Sequence, residues 1–328
     1  MPATLVDTGL VKEAVLLACR APSVHNSQPW RWRWLSDRGV LRLFLDRRRR
    51  VITADRSGRE AMISCGAVLD HLRVAMIAVG WQSSIDRLPH AANPEHLASV
   101  EFSPVEYVTA TQDERAEAIL QRRTDRLPLG YPTYWPSFEP VLRSSVDDSA
   151  AMLDVLSEDV RPQLAEASML TEVLRRDDPS YQLELQWWTS PFGLYEGVPS
   201  DALASASERQ RVDVARDFPA RNHANRRADV AVDWSRILVL STAGDSRADV
   251  LRCGEALSTV LLECTMAGLA TCTLTHLIEL EDSRDIVRKL IGDRGEPQVL
   301  IRVGIAPPME ELPASTPRRP LEDVLEIR

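Results

Sequence analysis

The run Arg122–Arg123–Thr124–Asp125–Arg126 sets three guanidinium groups and a hydroxyl within five residues. A guanidinium presents paired N–H donors in one plane, which matches two oxygens of a phosphate. The same run also suits surface ion pairs, so alone it identifies no ligand. A second segment, Arg20 to Trp34, reads RAPSVHNSQPWRWRW and gathers Ser23, His25, Asn26, Ser27 and Gln28 between two prolines. Pro22 and Pro29 restrict the backbone on either side, and Pro29 biases Gln28 toward an extended conformation. Such donors and acceptors suit the edge of a planar heterocycle. They suit equally a helix-exit turn whose side chains satisfy their own backbone.

Other chemistries find less support. No Ser–His–Asp arrangement, HExxH or GxGxxG is legible. His71, His90, His96 and His223 read as solvated or structural. Cys19, Cys65, Cys253, Cys264 and Cys272 form no C-x-x-C pair, which points to reduced, buried thiols in a cytoplasmic protein and to no metal site. A net charge of −9 argues against nucleic acid as a partner. The N-terminal apolar stretch is broken by Lys12 and Glu13, so it reads as an amphipathic helix, and no apolar run reaches membrane-spanning length.

The positioning elements follow from periodicity. A helix is predicted over 10–21, capped near Asp7 or Thr8 and stopped before Pro22. Trp30, Trp32 and Trp34 alternate with arginines, and Leu41, Leu43 and Leu45 continue that alternation beyond a turn at 36–39, giving a β-hairpin. The DRRRR run (46–50) reads as a solvated loop, followed by a helix over 58–79. The chain then repeats itself. Cys65–Gly66, Leu69 and Gly80 recur 188 residues later as Cys253–Gly254, Leu257 and Gly268. Each copy has a strand before its helix (41–46, 236–242) and another after it (98–102, 298–304), an α+β unit duplicated in one chain. Residues 180–225 mix Trp187, Trp188, Phe192 and Tyr195 with Gly, Pro and Ser, a candidate lid or a surface insertion.

APSVHNSQPW after a helix, RRTDR, the G-E-A-L…G helix and the tail RRPLEDV together resemble the nitroreductase family of flavoproteins, in its long, internally duplicated Acg-like branch. The resemblance covers both halves but not 180–225. It implies mostly antiparallel sheets with core helices, halves of 1–110 and 111–328 forming a pseudo-dimer, and FMN as cofactor. By position it assigns Arg122, Arg123, Thr124 and Arg126 to the phosphate and ribityl, and Arg318 and Arg319 to a C-terminal basic pair. Ser23, Asn26 and Gln28, with His25 and Ser27 beside them, fall to the loop facing the flavin. Thr273, Leu274, Thr275 and His276 lie along the ring, with an N–H toward flavin N5. The first half lacks RRSxR and the second lacks APSxxNxQPW, so one flavin per chain is expected, compatible with a monomer. Flavin N5 would do the chemistry, with NADH or NADPH as reductant and no catalytic side chain; His25 and His276 are not needed as bases. Two classes stay open: an oxidoreductase acting on a flat acceptor, and a flavin store whose lid blocks the nicotinamide.

Overall fold

The computed structural model describes residues 5–190, 193–219, 225–309 and 314–328. In chain order the helices are α1 (Thr8–Ala18), α2 (Arg59–Ala78), α3 (Ala110–Gln121), α4 (Trp135–Ser145), α5 (Arg161–Arg176), α6 (Pro179–Trp188), α7 (Ala206–Arg209), α8 (Arg247–Met266), α9 (Glu281–Leu290) and α10 (Leu321–Val324). The strands are β1 (Trp30–Leu35), β2 (Val40–Leu45), β3 (Trp81–Arg87), β4 (His96–Pro104), β5 (Met152–Val155), β6 (Arg236–Thr242), β7 (Ala270–Leu274), β8 (Glu296–Gly304) and β9 (Leu325–Ile327).

Local chemistry fixes the ends of these elements. Asp7 caps α1 by accepting from the N–H groups of Gly9 and Leu10, so the helix begins two residues earlier than its apolar face. Capping boxes start α3 (Thr109 with Gln112) and α8 (Ser246 with Asp249). In β1 the three tryptophans turn inward, with Trp30 and Trp34 wholly buried, while the intervening arginines face outward. Trp34 Nε1 donates to Thr8 Oγ1 at 3.0 Å, tying strand to helix.

The fold is α+β with two sheets. One has the order β3-β4-β2-β1-β9 and the other β5-β6-β8-β7. Matching β3-β4-β2-β1 to β7-β8-β6-β5 pairs every strand with a counterpart, and all these neighbours are antiparallel. The repeat in the sequence therefore has a topological echo. β3 and β7, which the sequence reading did not predict, belong to it. The exception is β9: the end of the chain crosses back to lie parallel to β1 at the edge of the first sheet.

α2 and α8 run between the sheets and cross at the repeated glycines. A Cβ on Gly66 would overlap the Leu251 carbonyl oxygen and stand 2.8 Å from Gly254 Cα. A Cβ on Gly254 would overlap the Ile63 carbonyl and stand 2.9 Å from Gly66 Cα. Backbone contact this close requires glycine at both positions. Further along, Ser258 donates to Asp70 at 2.6 Å, and His71 Nδ1 lies 2.8 Å from the same hydroxyl.

Two expectations are corrected. α2 is long and apolar enough to cross a membrane, contrary to the sequence reading, but 83% of that window is buried, mainly by the crossing with α8. The DRRRR run is not a free solvated loop: Arg49 donates to Ser27 O at 2.6 Å and pairs with Glu196, and Arg50 donates to Asp55 O at 3.1 Å. Phe192 and His223 lie outside the described residues. Among the other histidines, His71 and His96 are buried and His90 is exposed.

Candidate functional site

Two adjoining cavities, of about 280 and 360 Å³, share Pro22, Ser23, Thr124 and Arg126 in their walls. The first is closed by Ser23–His25, Glu60 and Ser64, Arg216–Phe218, Thr273–His276 and Arg302. The second is lined by Arg20, Asn26, Arg122–Arg126, Gly197–Pro199, Thr316 and Arg318. Asn26 and Arg122, from opposite ends of the repeat, thus face one space.

The loop at 23–28 is held in an unusual shape. His25, Asn26 and Gln28 have φ of 48°, 55° and 51°. Left-handed backbone costs a non-glycine residue roughly 1–2 kcal/mol, so the surroundings must hold it. Ser23 Oγ accepts from the Gln28 N–H at 3.1 Å. The Asn26 amide donates to the carbonyls of Gly197 at 3.2 Å and Pro317 at 3.1 Å. Gln28 donates to Tyr195 O at 2.6 Å and accepts from the Arg319 N–H at 2.9 Å. The extended conformation expected at Gln28 is therefore replaced by a left-handed one, because the insertion and the tail both grip its amide. Neither cavity wall includes Ser27, Gln28 or Arg319. Ser27 is buried with its hydroxyl unpartnered, and the Arg319 guanidinium donates to Asp323 O.

The arginine run leaves α3 and bridges to the free edge of the second sheet. Thr124 pairs with Thr271 of β7, Asp125 N–H donates to Thr271 O at 2.8 Å, and Asp125 binds Arg227 at 2.5 Å. An extended segment puts alternate residues on one face, so Arg122, Thr124 and Arg126 turn together, whereas Arg123 is exposed. Arg122 donates to Arg20 O at 3.2 Å. Arg318 donates to Cys19 O at 2.9 Å and Arg20 O at 3.0 Å, covering the carbonyl end of α1. Neither arginine, nor Arg20, meets a carboxylate among the described residues. Burial, with Arg20 close by, brings the Arg122 pKa down to about 10. Burial and the charges of Arg122 and Arg20 bring Arg318 to about 9. The Nε atoms of Arg20 and Arg122 are buried without a partner. Buried cations with unmade donor bonds fit an anion.

The first cavity has a different chemistry. Arg216 donates to Tyr181 Oη at 2.5 Å, to Thr275 Oγ1 at 3.0 Å and to Glu279. Arg175 also donates to Glu279, at 3.3 Å. Burial opposes charge on Arg216, but Glu279 and Tyr181 outweigh it and hold its pKa above the ordinary value. Glu60 stands nearby with only 3% of its surface exposed, and neither carboxyl oxygen accepts from a donor group. Burial first, then the Glu279 and Asp55 charges, raise its pKa well above the usual range. Its place in the first turn of α2 favours the anion by ~1 kcal/mol, less than the several kcal/mol that burying an unpaired charge costs. Glu60 is therefore neutral. His25 and His276 are held well below their usual pKa by burial and by Arg216. His276 Nε2 meets Ser168 Oγ at 2.7 Å, while its Nδ1 and Arg302 Nη1 are buried and unpartnered. Phe218 packs edge-on to His25 and lies under Arg126, 5.2 Å from its guanidinium carbon.

No family model matches the chain. Full-length relatives do. The "Putative NAD(P)H nitroreductase acg" of Mycobacterium tuberculosis is 53% identical over 328 residues, 100% of this chain and 98% of the relative. The chain belongs to the nitroreductase family, in its Acg-like branch. Another M. tuberculosis relative of this nitroreductase-family chain, "Uncharacterized protein Rv3127", is 65% identical over 321 residues, 97% of this chain and 93% of its own length. Among solved structures, the FMN-dependent nitroreductase NfnB from Mycobacterium smegmatis in complex with NADPH matches with a TM-score of 0.39 and 17% identity, covering 64% of this chain and 96% of its own. A "putative nitroreductase" from Anabaena variabilis matches with a TM-score of 0.41 and 11% identity, over 90% of this chain and 73% of its own.

Several residues of this nitroreductase-family site escaped the sequence reading: Arg20, Glu60, Arg216, Glu279 and Arg302. Arg302 left a signal, a charge inside the apolar run QVLIRVG, because a central strand tolerates a buried charge only when it is paired. Its partner is Asp233, which accepts from Arg302 Nη2 at 2.5 Å. Glu60 left none, since an acidic residue in a first helical turn is ordinary.

Proposed function

We propose that the chain is an FMN-binding, nitroreductase-like oxidoreductase holding one flavin between halves at 1–110 and 111–328. The observation that carries this reading is the continuity of the two cavities. A cationic wall with unmade donor bonds passes, across Ser23, Thr124 and Arg126, into a chamber bounded by Thr273–His276. Flavin mononucleotide has that layout, an anionic phosphate joined by a polyol to a planar ring. The name of the 53% identical relative supports NADH or NADPH as reductant.

Bound there, FMN supplies two-electron chemistry at N5 toward a flat acceptor. Arg122 and Arg318, with Arg20, hold the phosphate, Thr124 and Arg126 follow the polyol, and Arg123 stands at the rim of the second cavity. Thr273, Leu274, Thr275 and His276 lie along the ring; Ser23, His25 and Asn26 form the facing wall. Gln28 and Arg319 lock that wall to the tail, and Ser27 packs behind it. His25 and His276, both neutral, shape the chamber rather than accept protons. The contact between halves is internal, which supports a monomer, and the free buried cysteines support a cytoplasmic protein.

A second reading is a flavin store. It is favoured by the bonds from Asn26 and Gln28 to Gly197 and Tyr195 and by Phe218 in the first cavity, which make the insertion a lid over the site. Reconstitution with FMN, followed by anaerobic NADH or NADPH, separates the readings. One flavin per chain that bleaches with nicotinamide supports the oxidoreductase. Bleaching by dithionite alone supports the store. Two flavins per chain, or none, refutes both.

A further inference from the structure

Glu60 lines the first cavity, is buried, and accepts a hydrogen bond on neither carboxyl oxygen from any donor among the described residues. Every charged neighbour that could satisfy it is engaged elsewhere. From the preceding loop, Asp55 accepts from the N–H groups of Glu60 and Ala61 at 3.1 and 2.9 Å. From the turn after β7, Glu279 offers each oxygen to a different arginine, Arg216 and Arg175. From the insertion, Arg216 is spent on Glu279, Tyr181 and Thr275. On its own helix, Arg59 donates to Ile278 O. Across the cavity stand the neutral His25 and His276, with Arg126 bonded to Ala202 O and Arg302 to Asp233. Burial and two carboxylate neighbours outweigh the charge of Arg216, so the carboxyl keeps its proton. The acceptor that proton meets inside the fold is Glu279, whose two oxygens already accept from Arg216 and Arg175, which leaves Glu60 able to turn its donor to an acceptor in the cavity.

We propose that Glu60 donates a hydrogen bond to an acceptor atom, a carbonyl oxygen or ring nitrogen, of the heteroaromatic ligand in the first cavity. The proposal rests on the FMN reading above and goes beyond it, because it assigns recognition of the ring to a side chain outside the family motifs. Raising the pH removes the proton and sets a carboxylate against the same acceptor, so ligand affinity falls. Glu60→Gln keeps an N–H donor and loses the titration. Glu60→Ala loses both.

The test measures FMN dissociation constants from pH 6 to 9 for the wild type and both variants. Infrared spectra of each free protein follow the carbonyl stretch of protonated carboxyls. FMN phosphate itself titrates near pH 6, so the decisive quantity is the difference between wild type and Glu60→Gln. The wild type should show a protonated-carboxyl band at neutral pH that Glu60→Gln lacks. Wild-type affinity should weaken relative to Glu60→Gln as the pH rises through the point at which the wild-type carboxyl band is lost, and Glu60→Ala should bind about tenfold more weakly at pH 6. Profiles for wild type and Glu60→Gln that stay parallel through the loss of that band, or undiminished binding by Glu60→Ala, would overturn the role of Glu60 while leaving the FMN reading intact. A wild type that binds no FMN overturns that reading and, with it, this assignment of the ligand.

Discussion

Replacing Gly66 by alanine sets two effects of opposite sign against each other. In a helix interior, alanine is favoured over glycine by ~1 kcal/mol. At this crossing, however, the new methyl overlaps the Leu251 carbonyl and meets Gly254 Cα at 2.8 Å. Both are backbone atoms, so no side-chain rotation relieves them, and α2 and α8 must part. Overpacking of a close-packed core costs about 1–3 kcal/mol where side chains can shift, and this backbone contact belongs at the upper end. The clash wins, leaving a net loss of ~2 kcal/mol, equal to a fall in Tm of ~3 °C for a chain of this size. Equilibrium urea unfolding followed by tryptophan fluorescence measures it, with the buried tryptophans of β1 as reporters. Gly254→Ala should behave alike, since its methyl overlaps Ile63 O. The two are coupled: once the helices have parted for one methyl, the second finds room, so the double variant should lose less than the two losses combined. A Gly66→Ala protein as stable as the parent, or a strictly additive double variant, would refute the close crossing.

Other outcomes follow from the site and its supports. Arg122→Ala should weaken FMN binding by about ten- to a hundredfold, the worth of a charge-assisted hydrogen bond, and Arg318→Ala comparably; fluorescence titration of FMN reads both. Glu172 is raised by burial from 4.5 to about 7, against the opposing charge of Arg216. The native state thus holds this proton more tightly than the unfolded chain, so its stabilising contribution is complete below pH 4.5 and is lost as the pH rises through 7. That loss amounts to about 3 kcal/mol, and Glu172→Gln should flatten the fall in denaturation midpoint over this window. Glu184 on α6 accepts from the backbone N–H groups of Ile52, Thr53 and Ala54 at 2.6 to 3.0 Å. Glu184→Ala should release the insertion from the first half, seen as faster amide exchange at residues 50–57 and faster proteolysis within 180–219.

What was legible in the sequence was whatever repeats at short range. The tryptophan alternation gave β1 and its inward face, and the matching Cys–Gly pairs marked α2 and α8 as repeated helices, though not their crossing. β3 was missed because the edge strand WQSSIDR buries little, with only Trp81 and Ile85 apolar on its inward face. The site divides in the same way. The RRTDR and APSVHNSQPW motifs brought Arg122 and Asn26 to one cavity. The interactions that define its chemistry, such as Arg216 with Glu279 or Asn26 with Gly197, span 63 and 171 residues and leave no local pattern. The shape at Gln28 was misread for the same reason: Pro29 supplies a local bias, but Tyr195 and Arg319 decide the outcome.

The last strand, β9, has a consequence for how the molecule is made. Residues 325–327 complete the first sheet beside β1, yet they leave the ribosome long after it. Throughout synthesis the tryptophan-rich strand shows an unpaired edge, the kind of surface that recruits other chains. The arrival of β9 seals that edge and, in the same movement, draws Arg318 onto α1.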